Sequence, residues 1–162
     1  MRAIARPWLI RKGYDGMTFF GRIITHSKEE AARINASHAS KSTVSSVIKN
    51  HEMIHLYQAR STHDSWLCFY ILYGWYWLLA CRYWRRLKNA GYRLNPFELE
   101  AYAHMHDLHY LDDKQSGTTE WRRYARMSLR ERLKYKNNPQ IHHFYYGLHG
   151  CKPHNSHQVS DT

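Results

Sequence analysis

The stretch Asn50-His-Glu-Met-Ile-His-Leu-Tyr-Gln58 contains His51-Glu52-x-x-His55. Residues four apart on a helix sit one turn apart on the same face, so His51 and His55 can offer imidazole nitrogens to one ion. Glu52 stands beside the first of them and can reach a water on that ion without taking a coordination position. Two ligands and an adjacent base are the working parts of a zinc hydrolase. The metal acidifies the water, and Glu52 would accept its proton and pass it to a leaving amine. The chain carries 13 histidines, so the motif alone decides nothing. The plain alternative is an amphipathic helix whose histidines line a polar groove.

A catalytic zinc takes a third protein ligand and leaves one position for water. Candidates lie in Asn95-Pro-Phe-Glu-Leu-Glu-Ala-Tyr-Ala-His104. Asn95 is a good N-cap, and proline suits the first helical position. Glu98 then falls at the third position, where a glutamate often folds back onto its own cap. Glu100 is the rival ligand, pointing to a different side of the helix. His106 and His109 lie about 12 and 16 Å along the axis from Glu98 at the helical rise, so neither easily shares its ion. Tyr102 lies one turn beyond Glu98 on the same face.

These stretches, with the preceding Gly16-Met-Thr-Phe-Phe-Gly-Arg-Ile-Ile24 and the aromatic segment between them, resemble a family of small bacterial zinc metallopeptidases. The resemblance runs roughly from Gly13 to Leu111. More distantly, the pattern is similar to gluzincin peptidases of the CAAX-prenyl-protease and heat-shock-protease type. Those pair HExxH with a later ExxAD whose first glutamate is the third ligand. Here that pattern falls on Glu98-Leu-Glu-Ala-Tyr102, so the resemblance implies Glu98 as the ligand in place of Glu100. It further implies Zn2+ held by His51, His55 and Glu98, Glu52 as base, and a peptide or protein as substrate. An edge strand holding extended substrate is also implied, with Met17 to Ile24 as its candidate. The sequence departs from the pattern at Tyr102, where those peptidases carry aspartate. An aspartate can orient a ligand histidine; a tyrosine can hydrogen-bond instead, donate to a developing oxyanion, or simply pack.

The elements around these residues read as mainly α, of the α+β class. Gly16 to Thr25 predicts one or two short strands around Gly21. Ser27-Lys-Glu-Glu30 looks like a capping box for a short helix. Helical spacing runs from about Thr43 through the histidines. A second helix is expected from near Asp64 to Asn89, ended by Asn89-Ala-Gly91, and a third from Asn95 to roughly Leu111. A basic helix is expected over 119–136, with an interruption at Ser128 allowed by the pattern. Together these predict one zincin-like helical domain over 1–136 and a loosely ordered histidine-rich tail over 137–162. That tail holds His142, His143, His149, Cys151, His154 and His157 in no spacing that forms an ordered zinc site.

The formal net charge of +11 favours an anionic neighbour. No helix-turn-helix or RNA-binding signature points to nucleic acid. Three widely spaced cysteines, Cys68, Cys81 and Cys151, do not form a disulfide framework and suit a reducing, cytoplasmic compartment. The N-terminal segment lacks the sustained apolar run of a signal peptide. Ser65 to Cys81 carries no charge but is at the lower limit for a membrane span, and its tryptophan and tyrosine content suits an interface. One crossing would also part the histidines from Glu98, although all must meet within about 2 Å of one ion. A buried scaffold helix is therefore expected, with a helix lying on anionic lipid at the inner membrane face as the alternative. Arg122 to Lys136 reads as a solvated basic face around a packing stripe. The competing function is a non-catalytic, metal-stabilised binding module that docks on anionic membrane or nucleic acid through its basic and aromatic surfaces. Glu52 separates the two, since a structural site has no use for a base.

Overall fold

The computed structural model describes residues 2–10, 16–37 and 44–136. Strands β1 (Arg2–Ala5), β2 (Gly16–Phe19) and β3 (Arg22–Thr25) form one sheet in the order β1-β3-β2. β2 and β3 are the expected hairpin. Phe20 and Gly21 at its tip both have positive φ, 44° and 74°, as a two-residue turn of matching twist requires. β1, which the sequence does not signal, runs parallel to β3 with Ala3 opposite Ile23. Its short Arg-Ala-Ile-Ala run is a weak strand former, and its pairing depends on tertiary contacts. The Asn35 side chain seals its outer edge, accepting from the Ala3 N–H at 2.7 Å and donating to the Ala3 carbonyl at 3.0 Å. Helix α1 (Lys28–Ala36) covers one face of the sheet, packing Ala31 and Ile34 on Ala3 and Ile23. Ser27 caps it as expected, accepting from Glu30 N, while the Glu30 carboxylate reaches back to the His26 N–H.

Helix α2 (Val44–Ser61) carries the two histidines, and α5 (Pro96–His104) carries the glutamates. They run in opposite directions, pinned near both ends by amide side chains of α2. The Asn50 amide donates to the carbonyls of His104, Met105 and Asp107 at 2.9–3.2 Å. The Gln58 amide donates to the Phe97 carbonyl at 2.9 Å. Asn50 therefore takes up the last carbonyls of α5, and this helix ends at His104 rather than near Leu111. The chain continues through turns to Thr118, whose N–H donates to the Tyr57 carbonyl. Gly117, at φ +100°, lies so close beneath that carbonyl that a Cβ would overlap it.

Helix α3 (Trp66–Cys81), capped by Ser65, packs Phe69, Tyr73 and Tyr76 against Phe97 of α5. The expected single helix to Asn89 is in fact shorter. After Cys81 most of the hydrogen bonds tighten to three-residue spacing, and a further short helix, α4 (Ala90–Arg93), begins after Asn89. Asn89, not Gly91, takes the left-handed conformation, with φ 57°. Gly91 lies inside α4 against Trp77, whose ring atoms stand 2.7–2.9 Å from where a Cβ would be. α3 also departs from the expected buried scaffold. Only Phe69 and Ala80 of it are buried, and one side faces water.

The basic segment divides into α6 (Trp121–Arg126) and α7 (Leu129–Lys136), with the break at Met127 and Ser128. Its arginines at 122, 123, 126 and 130 are exposed around the packed Trp121 and Tyr124. Arg132 is the exception. It is buried, lies over the Tyr76 ring and donates to the carbonyls of Leu94, Tyr124, Ala125 and Met127. Lys136 is buried too, and desolvation pulls its ammonium down to about 8, assisted by Arg93 nearby. The chain is thus mainly helical with a short β element ahead of the histidine helix, as expected. No helix among the described residues is long and apolar enough to cross a membrane. The histidine-rich tail, with Cys151, lies outside the described residues.

Candidate metal centre

His51 and His55 project from α2 toward Glu98 of α5, and all three are buried. His51 Nε2 stands 3.4 Å from Glu98 Oε2, and His55 Nε2 stands 3.5 Å from Glu98 Oε1. Donors placed 2.0–2.1 Å from a tetrahedral ion lie about 3.3–3.4 Å apart. The two separations match that edge, and one ligand atom from each residue lies within 4.8 Å of the others. Glu98 Oε2 is buried with no hydrogen bond among the described residues, the state of an oxygen that suits a cation. The donor set, two imidazoles and one carboxylate, suits zinc.

Glu98 does not fold back onto its cap. The Asn95 side chain caps α5 by accepting from the Phe97 N–H, which leaves the Glu98 carboxylate to face the histidines. Tyr73 of α3 donates to Glu98 Oε1 at 2.7 Å, and Asn95 Nδ2 donates to the Tyr73 carbonyl, so α3 holds the carboxylate in place. Burial alone would raise the pKa of Glu98, but His55, His51 and Tyr73 reverse this and hold it below its ordinary value. For His51, burial alone would lower the pKa, and the neighbouring Glu98 charge carries it above the usual imidazole value.

Glu100 has a different task. Its buried carboxylate accepts from the Gln58 amide at 2.8 Å, the Tyr110 hydroxyl at 2.8 Å, the Trp121 N–H at 3.0 Å and the Thr118 hydroxyl. It therefore ties α2, the turn and α6 together behind the site. This network also fixes a tautomer. Both Gln58 amide hydrogens are committed, to Phe97 and Glu100, so its oxygen must face His55 Nδ1 at 2.8 Å. His55 Nδ1 then carries the proton, and Nε2 presents its lone pair to the centre.

The second histidine is oriented differently. The Tyr102 ring packs edge-on against His51 with centroids 4.6 Å apart, and the Tyr102 hydroxyl meets that of Tyr92 at 2.9 Å. His51 Nδ1 finds no hydrogen-bond partner among the described residues. Aromatic packing therefore positions this ring.

A cavity of about 520 Å³ opens onto these groups, within the range of small-molecule and peptide pockets. His51, Glu52, His55 and Glu98 supply its polar lining; Leu9, Ile10, Met17, Phe19, Phe69 and Trp77 supply apolar walls. Glu52 is buried on this wall, close enough for its charge to act on both His51 and Tyr70. Tyr92 also borders the cavity. Burial, with Glu98 near it, pushes the Tyr92 phenol well above its ordinary range, so it keeps its proton. β2 is one of the two edge strands of the sheet and brings Met17 and Phe19 to the cavity.

The structure thus brings together the four residues that the sequence singles out and sends Glu100 elsewhere. Sequence reasoning missed Tyr73, Tyr92, Gln58 and the hub role of Glu100. Gln58 carried a usable signal, because it continues the His51, His55 face at the next three-residue step. Tyr73 and Tyr92 carried none among so many aromatics. No protein-family model, curated protein or solved structure matches the chain.

Proposed function

We propose that this protein is a zinc-dependent hydrolase, most specifically a metallopeptidase. The observation that carries this reading is the meeting of two imidazoles and one carboxylate, each imidazole 3.4–3.5 Å from a Glu98 oxygen, with Glu52 on the wall of the same cavity. His51, His55 and Glu98 would hold the ion. Zinc bound there would supply Lewis acidity toward a carbonyl oxygen and an acidified water. Glu52 is the base that accepts the water proton and returns it to the leaving nitrogen. Tyr73 and Gln58 keep Glu98 and His55 aimed. Tyr92, paired with Tyr102 through their hydroxyls, closes one edge of the cavity. β2 would hold an extended chain in register, and the apolar walls favour apolar side chains. Peptide as the substrate class rests on the likeness of Asn50–Gln58 and Asn95–Tyr102 to gluzincin-type stretches. Free Cys68 and Cys81 fit a reducing compartment, the cytoplasm.

Metal content by mass spectrometry, read beside hydrolysis of a fluorogenic peptide library, tests this reading. Wild type should carry one more zinc per chain than His55→Ala or Glu98→Ala. Glu52→Gln should keep that zinc and lose hydrolysis. Equal zinc in wild type and both ligand variants would refute the centre. Equal hydrolysis by wild type and Glu52→Gln would refute the base. Zinc without hydrolysis in any protein would favour a structural metal.

A further inference from the structure

On α3, Leu67, Ile71, Trp75 and Leu78 recur at steps of four, four and three residues and share one arc of the helix. Each is 58–69% exposed. Phe20, also exposed, packs against Tyr70 and Trp66 of the same helix, and exposed Trp84 follows its C-terminal end. Clustered apolar surface of this kind marks a contact face. Arg82 continues the arc four residues after Leu78, and Arg85, Arg86 and Lys88 stand exposed beyond it. From Ser65 to Phe97 the sequence contains no aspartate or glutamate.

We propose that the outer arc of α3, with its trailing arginines, docks this protein on the surface of an anionic phospholipid bilayer. Three features choose this occupant. Tryptophans among aliphatics, with basic residues at one end, match the layered chemistry of acyl chains and headgroups. The basic cluster, which pairs with no acidic side chain among the described residues, complements anionic headgroups. A second copy of the chain would bring its own +11 charge against the first. α3 would lie in the interface without crossing it, its inner face staying on the protein core. The docked face also borders the cavity. Trp77 and Phe19 line the cavity and are 44% and 43% exposed, and they adjoin Leu78 and Phe20 of the docking surface. Substrate would therefore enter from the bilayer surface. Docking rests on this surface alone and stands or falls apart from the metal centre.

The test sediments the full chain with vesicles of phosphatidylcholine, alone or mixed with phosphatidylglycerol. The protein should pellet with the mixed vesicles and much less with neutral ones. Ile71→Glu/Leu78→Glu should weaken binding about tenfold or more, since charge replaces inserted apolar surface. Arg85→Ser/Arg86→Ser should weaken it about tenfold or more on mixed vesicles only. Thermal melts of both variants should match wild type. Failure to pellet with mixed vesicles would overturn the proposal, as would pelleting unchanged by Ile71→Glu/Leu78→Glu. So would a wild-type dimer that these substitutions dissolve while vesicles bind nothing.

Discussion

Helix α5 carries Glu98, Glu100, Tyr102 and His104 among nine residues, yet everything from Pro96 to Tyr102 is buried. Helix α3 has no charged residue from Trp66 to Cys81, yet only Phe69 and Ala80 are buried. Hydropathy would have placed them the other way round. The difference lies in partners. The Glu100 carboxylate, Glu98 Oε1 and the Tyr102 hydroxyl of α5 each meet a partner placed for them, among Gln58, Tyr73, Tyr92, Tyr110 and Trp121, and Glu98 Oε2 is left to the metal centre. Buried polar groups satisfied in this way can be retained, and they specify one arrangement. The outer arc of α3, formed by Leu67, Ile71, Trp75 and Leu78, stays 58–69% exposed. One helix is held by directed bonds on all sides, the other by one packed face.

The sharpest way to break this contrast is at Glu100. Glu100→Ala strands the Gln58 amide, the Tyr110 hydroxyl and the Trp121 N–H in a buried space. We expect a loss of about 3–5 kcal/mol. Calorimetry should show the melting temperature lowered by about 10 °C or more; a shift of a degree or two would mean α5 is not held as described. At Gln58 the effect is smaller in stability but reaches the site. Gln58→Leu removes the acceptor of His55 Nδ1, and zinc affinity should fall about tenfold to a hundredfold in chelator competition. Unchanged affinity would detach the network from the metal. Gly91→Ala probes where α3 is packed tightly. Its methyl meets the Trp77 ring and should cost about 1–3 kcal/mol by urea denaturation. The smallest effect is expected on the open arc, where Trp75→Ser should move stability by no more than about 0.5 kcal/mol without lipid. A loss several times larger would show that this face is covered.

Much of the histidine side was legible because its signal is local. His51, Glu52 and His55 sit within one turn and a half of helix, and the Asn95-Pro96 start of α5 is written in neighbouring residues. The hairpin and the Ser27 cap were readable for the same reason. Other features depend on distant groups. β1 exists through Ile23 and Asn35, and α5 stops where Asn50 takes its carbonyls. Spacing alone could not choose between Glu98 and Glu100. Spatially, the choice is made by which one faces the histidines and which faces Tyr110 and Trp121. The aromatic segment was read correctly as apolar, but composition does not say which arc of a helix its neighbours leave bare.

Enclosure of α5 also constrains how this molecule can change over generations. Glu100 answers at once to three segments of chain through Gln58, Tyr110 and Trp121. A replacement there disturbs all of them together, so tolerated changes must arrive as matched sets whose combined effect departs from the sum of its parts. As far as folding is concerned the bare arc of α3 is bound by no such agreement, and the proposed lipid contact is the constraint that remains on its residues. Innovation is therefore open on the outside of the molecule, while the interior can move only in concert.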